Sequence, residues 1–254
     1  MHLPQPTGRI LAWTGAGVAF GAMLAALAAG PGYQYQLWGY RTGFTILRWA
    51  VYTAAAAGVA ALIGCALSAA QQRYRAALAG AGGVVIALAL IAPSWELQRT
   101  AAQVPLIHDI TTDTVDPPQF VALLAVRQQA PNGPEYAGEK IARQQQAAYP
   151  DIQPRLLDEP PARAYERAVA AARSMGWEIV AAVAADGRIE ATATTRWFRF
   201  KDDVVIRVSA ERAGSRIDVR SKSRLGRSDL GANARRIRAY LRALDAARSP
   251  PPGT

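Results

Sequence analysis

Apolar and polar residues alternate along residues 188–230, and this alternation predicts three consecutive β-strands. The apolar positions are Ile189, Ala191, Ala193, Thr195 and Trp197 in the first strand, Val204, Ile206 and Val208 in the second, and Ile217, Val219 and Ser221 in the third. The intervening positions are charged and mostly basic: Glu190, Arg196, Arg207, Arg216, Asp218, Arg220 and Lys222. We therefore expect a sheet with one packed face and one charged outer face.

A helix is predicted on either side of these strands. Pro160-Pro161 opens the first helix, which ends at Gly176, and Trp177–Ala184 adds a fourth strand. After Ser228, an expected N-cap, an apolar stripe predicts the second helix. The stripe consists of Leu230, Ala234, Ile237, Leu241 and Leu244. The pattern indicates an α+β domain over residues 162–248, in which two helices cover a four-stranded antiparallel meander.

Short polar segments separate the predicted strands. Asp186-Gly187, Lys201–Asp203 and Ala213-Gly214 are interpreted as hairpin turns. Residues 96–161 are punctuated by prolines, so we expect an extended segment that packs on the domain, with short helical turns within 120–129 and 136–149. Residues 249–254 are expected to be a disordered tail.

Three uncharged, apolar runs precede the domain. They are Ile10–Ala29, Trp49–Ala70 and Ala76–Trp95, the last ending near Pro93, and each can cross a hydrocarbon layer of about 30 Å. Residues 1–95 contain no Asp or Glu and only five Arg, which also fits a lipid environment. The sequence predicts a three-helix transmembrane unit at 1–95, with close helix contact favoured at Gly17 and Gly21. A cleaved signal peptide in the first run is the alternative.

The positions of the arginines give an expected orientation. With the N-terminus in the cytoplasm, Arg9, Arg73 and Arg75 lie inside, whereas Arg41 and Arg48 lie outside. This arrangement favours an inner-membrane protein with its C-terminal domain in the periplasm. Residues 188–248 hold 16 Lys or Arg against seven acidic residues, which suits an anionic partner. The expected location argues against nucleic acid as that partner.

Several motifs of the soluble part resemble those of one uncharacterised family. The motifs lie at 108–114, 117–120, 187–192, 197–203 and 220–224, and they are followed by Gly226, Asp229, Gly231, Asn233 and Arg236. Together they resemble the domain family of unknown function numbered 1499, over about residues 105–245. The resemblance implies a domain rather than a reaction, because the family has no established activity.

Catalytic chemistry has weak candidates. His108, Asp109 and Asp113 are the best of them, but adjacent residues of a strand face opposite ways, and we expect neither a metal site nor a cofactor. A local turn built by Asp and Thr side chains is the alternative for this motif. Ser221 and Ser223 lack an evident base, and Lys222 is expected to point to solvent.

Ligand binding has a stronger set of candidates, because Arg guanidinium groups suit phosphate and carboxylate groups. The set is Arg196, Arg199, Arg220, Arg224 and Arg236, with Trp197 between two of them. Internal ion pairs with Glu190, Asp203, Asp218 and Asp229 are the alternative. The sequence favours a non-enzymatic envelope binding or assembly module whose partner is an anionic ligand, a lipid headgroup or an envelope protein. The second hypothesis is an enzyme that uses the His108–Asp113 motif.

Overall fold

Three long helices open the described part of the chain, as predicted. This computed structural model describes residues 6–212 and 214–247. Helix α1 spans Pro6–Gln34, α2 spans Tyr40–Ala70 and α3 spans Tyr74–Gln103. All three are long and apolar enough to cross a membrane. Each extends beyond the uncharged run that predicted it.

Helix α3 does not end at Pro93, which corrects the expected boundary. Pro93 lies inside the helix, which continues to Gln103. A proline lacks the N–H that would bond to the carbonyl four residues earlier, here that of Ala89, yet the helix continues on both sides of it.

Small residues bring the three helices together, although not at the expected glycines. A Cβ on Gly64 would lie 2.2 Å from the Ala12 nitrogen, and one on Gly80 would lie 2.6 Å from the Ala61 oxygen. Such close backbone approach is typical of membrane helix pairs. A Cβ on Gly17 or Gly21 would meet nothing within 4 Å, so the contact predicted there is wrong. Both glycines are exposed.

Six antiparallel strands form the sheet of the second part of the chain. The meander runs through β3 (Glu178–Val183), β4 (Arg188–Thr194), β5 (Lys201–Glu211) and β6 (Gly214–Ser223). Its four strands were predicted, and β1 (Asp109–Thr111) and β2 (Arg155–Leu157) are additions, both paired with β6. The order is β1-β6-β5-β4-β3. The segment before the meander therefore supplies strands as well as the short helices α4 (Leu124–Gln128) and α5 (Glu139–Ala148).

Two helices cover the apolar face of the sheet, as predicted. Helix α6 spans Pro161–Ser174 and α7 spans Ala232–Ala246. The core contains Ile189, Ile206 and Ile217 from the strands, packed with small alanines of α6 and with Ile237 of α7. Burial of these branched side chains, each contributing about 1.5–3 kcal/mol, stabilises the α+β domain.

Two predicted local features are wrong. Asp202 and Asp203 do not form a turn, because both are buried within β5, and the chain reverses at 195–200 instead, where the Thr195 N–H donates to the Phe200 carbonyl. Ser228 does not cap α7, since the Asp229 carboxylate accepts the N–H groups of Gly231 and Asn233. The expected tail at 249–254 lies outside the described residues.

The chain divides into two compact units. The first comprises the three helices, up to Ala102, together with Arg196–Arg199, which we call the basic turn. The second begins at Gln103 and contains the sheet with its helices. The basic turn joins β4 to β5 in sequence, yet its contacts group it with the helical unit.

Candidate functional site

The charged face of the sheet is buried, which overturns the expectation of a charged outer face. Side chains that were predicted to point outward are almost completely inaccessible, including Glu190, Asp218, Arg220 and Lys222. Residues 112–136, which we call the covering segment, contribute a hydrogen bond to each of these four side chains. Buried charges require partners because an unpaired ion in a protein interior is costly. The partners are carboxylates of the domain and backbone groups of the covering segment.

Asp109 neutralises two cations at one edge of this face. Its carboxylate accepts two hydrogen bonds from Arg220, at 3.0 and 2.9 Å, and lies 3.1 Å from the Lys222 ammonium. Lys222 also donates to the Glu135 carbonyl, and burial lowers the pKa of its ammonium group. The expectation that Lys222 points to solvent is wrong, since it lies on the covered face beside Arg220. Asp109 is thus an ion-pair partner within the fold.

Asp203 forms a second buried pair. Its carboxylate accepts hydrogen bonds from Arg127 and from Arg224, each at 2.9 Å. Arg127 is fully buried and also donates to the carbonyls of Lys222 and Asn132. The ring of Phe120 lies against Arg127, with the guanidinium carbon 4.8 Å from the ring centroid. Burial lowers the pKa of Arg127.

The Glu190 side chain binds backbone N–H groups of the covering segment. Its carboxylate accepts the N–H groups of Val121, Ala122 and Leu123 at 2.8–3.1 Å, and Arg188 donates to it as well. These bonds tie three consecutive residues of the covering segment to one side chain of β4. Glu190 was expected only as an ion-pair partner of the arginines, and Arg127 was absent from the sequence-based candidates. Arg127 lies in no recognised catalytic or binding motif, so its burial in the structure is the signal that reveals it.

The side chains of the His108–Asp113 motif are engaged in contacts within the fold. His108 Nδ1 lies 3.4 Å from the Arg227 carbonyl oxygen, and Asp109 is paired as described above. Asp113 accepts the N–H groups of Val115 and Asp116 and also pairs with Arg207 and Arg216. This is the local turn that was the alternative for the motif. Within the described residues, no group of three or more His, Cys, Asp or Glu is placed to hold a metal ion.

The structure divides the candidate arginines into two kinds. Arg220, Arg224 and Arg236 form internal ion pairs with Asp109, Asp203 and Asp202 respectively, and of these partners only Asp203 was among the expected ones. Arg196 and Arg199 are exposed, and Trp197 between them is 43% exposed. The basic turn therefore carries the candidate cations that are most accessible to a ligand.

The basic turn is held by contacts within the helical unit. Gln34 Nε2 donates to the Trp197 carbonyl at 2.5 Å, and the buried Phe198 ring lies 5.1 Å from the Phe44 ring and 6.0 Å from the Tyr33 ring, measured between centroids. Arg199 adopts a positive φ of 56°, a backbone conformation that is uncommon outside glycine. These contacts fix the backbone of the turn and leave both guanidinium groups accessible.

The fold and these contacts define a class: a chain with three helices able to cross a membrane, followed by an antiparallel α+β domain with internal ion pairs. Residues 109–244 match the model of a family described as "Protein of unknown function (DUF1499)". The match covers more than half of the 254 residues, and the chain belongs to this family. Comparisons with the curated proteins and with the solved structures found no match.

Proposed function

We propose that this protein is a non-enzymatic binding module of the bacterial envelope that is anchored in the inner membrane. Its basic turn binds anionic lipid headgroups at the membrane surface. The observation that carries the proposal is the composition of this turn, in which two exposed arginines flank Trp197 and Phe198. The guanidinium group of arginine binds phosphate well. Because the basic turn belongs to the unit of the three helices, its arginines would lie close to lipid headgroups.

The aromatic residues around the turn support this location. The ring of Phe198 lies against the rings of Tyr33 and Phe44, and the ring centroids of Tyr40 and Phe44 are 6.2 Å apart. The aromatic side chains therefore cluster where α1 ends and α2 begins. Tyr and Trp are enriched at the boundary between the hydrocarbon layer and water. Their positions support an interfacial location for the end of α1 and the start of α2.

The charge of the helical unit supports an anionic partner. Residues 1–102 and the basic turn together contain eight arginines and a single acidic residue, Glu96. The helical unit therefore carries a clear excess of positive charge. An Arg near an anionic membrane surface contributes about 1 kcal/mol of attraction.

The number of helices supports a periplasmic location under the expected orientation. If all three helices cross the membrane, the α1–α2 connection and the chain after α3 emerge on the same side. With the N-terminus in the cytoplasm, that side is the periplasm. The contacts of the basic turn with Tyr33 and Phe44 are consistent with this parity.

Native mass spectrometry of the detergent-solubilised full chain tests the proposal. The probes are phosphatidylglycerol, which is anionic, and phosphatidylcholine, which is neutral overall. For an Arg196→Gln and Arg199→Gln double variant, we expect the preference for phosphatidylglycerol to fall roughly 30-fold, because two charge contacts are lost. The matched control is Arg173→Gln and Arg242→Gln, two exposed arginines of the second unit, which should bind like the wild type. An unchanged preference in the first variant refutes the proposal.

A further inference from the structure

We infer that a groove between α1 and α2 holds an acyl chain of an anionic phospholipid. The inference rests on the proposed function and specifies its ligand as a whole lipid rather than a free headgroup. The groove has a volume of about 560 Å³, and residues of α1 and α2 alone line it. Sites of this volume accommodate ligands of small-molecule size.

The dimensions of the groove match one leaflet of a bilayer. On α2 the lining runs from Thr42 to Thr53, and the eleven helical steps between these residues span about 16 Å. Half of a hydrocarbon core of about 30 Å is about 15 Å. The groove begins beside the interfacial aromatic cluster, one residue after Arg41, and descends along α2 from there. An acyl chain that entered from this surface would follow the groove to the middle of the bilayer.

The walls of the groove are shallow and apolar on the α1 side. Gly21 and Ala25 line it there, and both are exposed. A Cβ on Gly21 would meet nothing within 4 Å, so the groove owes part of its depth to a missing side chain. On the α2 side Trp49 is 61% exposed and supplies a large apolar wall. Helix α3 contributes no residue to this lining, although Ala22 and Ala50 of the lining share a hydrophobic cluster with Ala87 and Leu90 of α3.

The two exposed arginines beside the groove favour a phospholipid as its occupant over a helix from a second copy of the chain. Arg41 and Arg48 are exposed and each directly precedes a lining residue of α2, so both lie on the flank of the groove. The Arg41 side chain is held at the helix start by its bond to the Tyr40 hydroxyl, at 3.2 Å. In a symmetric dimer of parallel helices, each arginine would lie at the same depth as its own copy, which brings like charges together. A phosphate above the groove lies nearest to Arg41, and the long side chain of Arg48 can extend its guanidinium group toward the same surface.

The groove can be filled by a single substitution. Gly21→Leu places a branched side chain in the groove, at a position where the Cβ has open space. The matched control is Gly82→Leu on α3, where a Cβ also meets nothing within 4 Å but which does not line the groove. Ala25→Leu is a second groove variant, and a detergent-solubilised thermal unfolding curve for each variant verifies that the helices remain folded.

The probe is 1-palmitoyl-2-oleoyl phosphatidylglycerol, added to the full chain and read as adducts by native mass spectrometry. We expect Gly21→Leu and Ala25→Leu to lower the adduct affinity about tenfold, and Gly82→Leu to leave it unchanged. Arg41→Gln should lower the preference for phosphatidylglycerol over phosphatidylcholine. An affinity that both groove variants leave at the wild-type value overturns the inference.

The two proposals fail in different ways. If the variant of Arg196 and Arg199 loses headgroup preference while Gly21→Leu binds like the wild type, the basic turn acts without the groove. If Gly21→Leu loses adducts while the basic-turn variant keeps its preference, the groove acts without the basic turn. A wild-type dimer that Gly21→Leu dissociates, with adducts unchanged, assigns the groove to a second copy and overturns the acyl-chain inference.

Discussion

At the scale of single residues, the carboxylates of the second unit serve to neutralise buried cations. Asp109 is the clearest case, because one carboxylate contacts both Arg220 and Lys222 and all three side chains are almost completely buried. Replacing a whole buried pair by apolar residues is often tolerated, whereas removing one partner leaves a buried charge alone. We therefore expect these residues to be sensitive to single substitutions for reasons of stability alone.

We expect Asp109→Asn to destabilise the protein by about 3–5 kcal/mol, because Arg220 and Lys222 lose their counter-charge in a buried site. For a unit of this size the midpoint of thermal unfolding should fall on the order of 10 °C. Circular dichroism of the detergent-solubilised full chain measures it. Asp151→Asn is the matched control, because Asp151 pairs with Arg238 at the surface and should cost about 1 kcal/mol or less. Equal midpoints for the two variants would contradict the assignment.

At the scale of elements, the β3–β4 hairpin depends on a close approach at Gly187. Its φ is +60°, and a Cβ there would lie 2.1 Å from the Val208 carbonyl oxygen. The Val208 N–H donates to the Gly187 carbonyl at 2.7 Å, so the start of β4 is tied to β5 by its backbone. Any side chain at Gly187 separates these strands.

Gly187→Ala should cost more than the positive φ alone. A left-handed residue other than glycine costs about 1–2 kcal/mol, and loss of a buried backbone hydrogen bond costs about 1–3 kcal/mol more. Gly176→Ala is the matched control, since Gly176 has a φ of +68° and open space around its Cβ. Urea unfolding of the two full-length variants compares the costs. If Gly187→Ala is no less stable than Gly176→Ala, the close approach has no energetic consequence.

The elements were predictable from the sequence where one face is apolar. Ile189, Ile206 and Ile217 alternate with polar residues, and that period of two identified the meander and the helices needed to cover it. The same pattern gave the wrong environment for the second face, because alternation reports that a residue is polar and not that it is solvated. A covering segment has no periodicity of its own. It buries Arg220 through hydrogen bonds from the guanidinium group to the backbone carbonyls of Pro118 and Pro134. Such backbone contacts have no sequence signature.

The candidate site was predictable in part for a related reason. Basic residues on a sheet look alike in sequence whether they face a ligand or an aspartate. Arg220, Arg224 and Arg236 acquire their partners from residues up to 111 positions away, as in the bond between Arg220 and Asp109. The basic turn is distinguished from them by three-dimensional contacts with α1 and α2, which no local pattern reports.

At the scale of the whole molecule, three helices and the positions of their flanking arginines predict the side on which each connection lies. We expect the position after Thr254 to lie in the periplasm. Alkaline phosphatase, which is active only outside the cytoplasm, should therefore be active when fused there. Green fluorescent protein fused at the same position should remain dark. The matched control is the same pair of fusions after Gln72, between α2 and α3, which should give the opposite result. A fluorescent fusion after Thr254 would place the second unit in the cytoplasm and remove the proposed orientation.

The separation of Asp109 from Arg220 along the chain has a consequence for synthesis. Their ion pair spans 111 residues, and β1 pairs with β6, the last strand of the sheet. At about 5–20 residues per second, the early partner waits roughly 6–20 s before the late one is made. During that interval residues 109–136 have no finished sheet to lie on and are exposed to proteases and chaperones. A ribosome that stalls before Arg220 therefore leaves a nascent chain that cannot close its sheet, however well the earlier strands have paired.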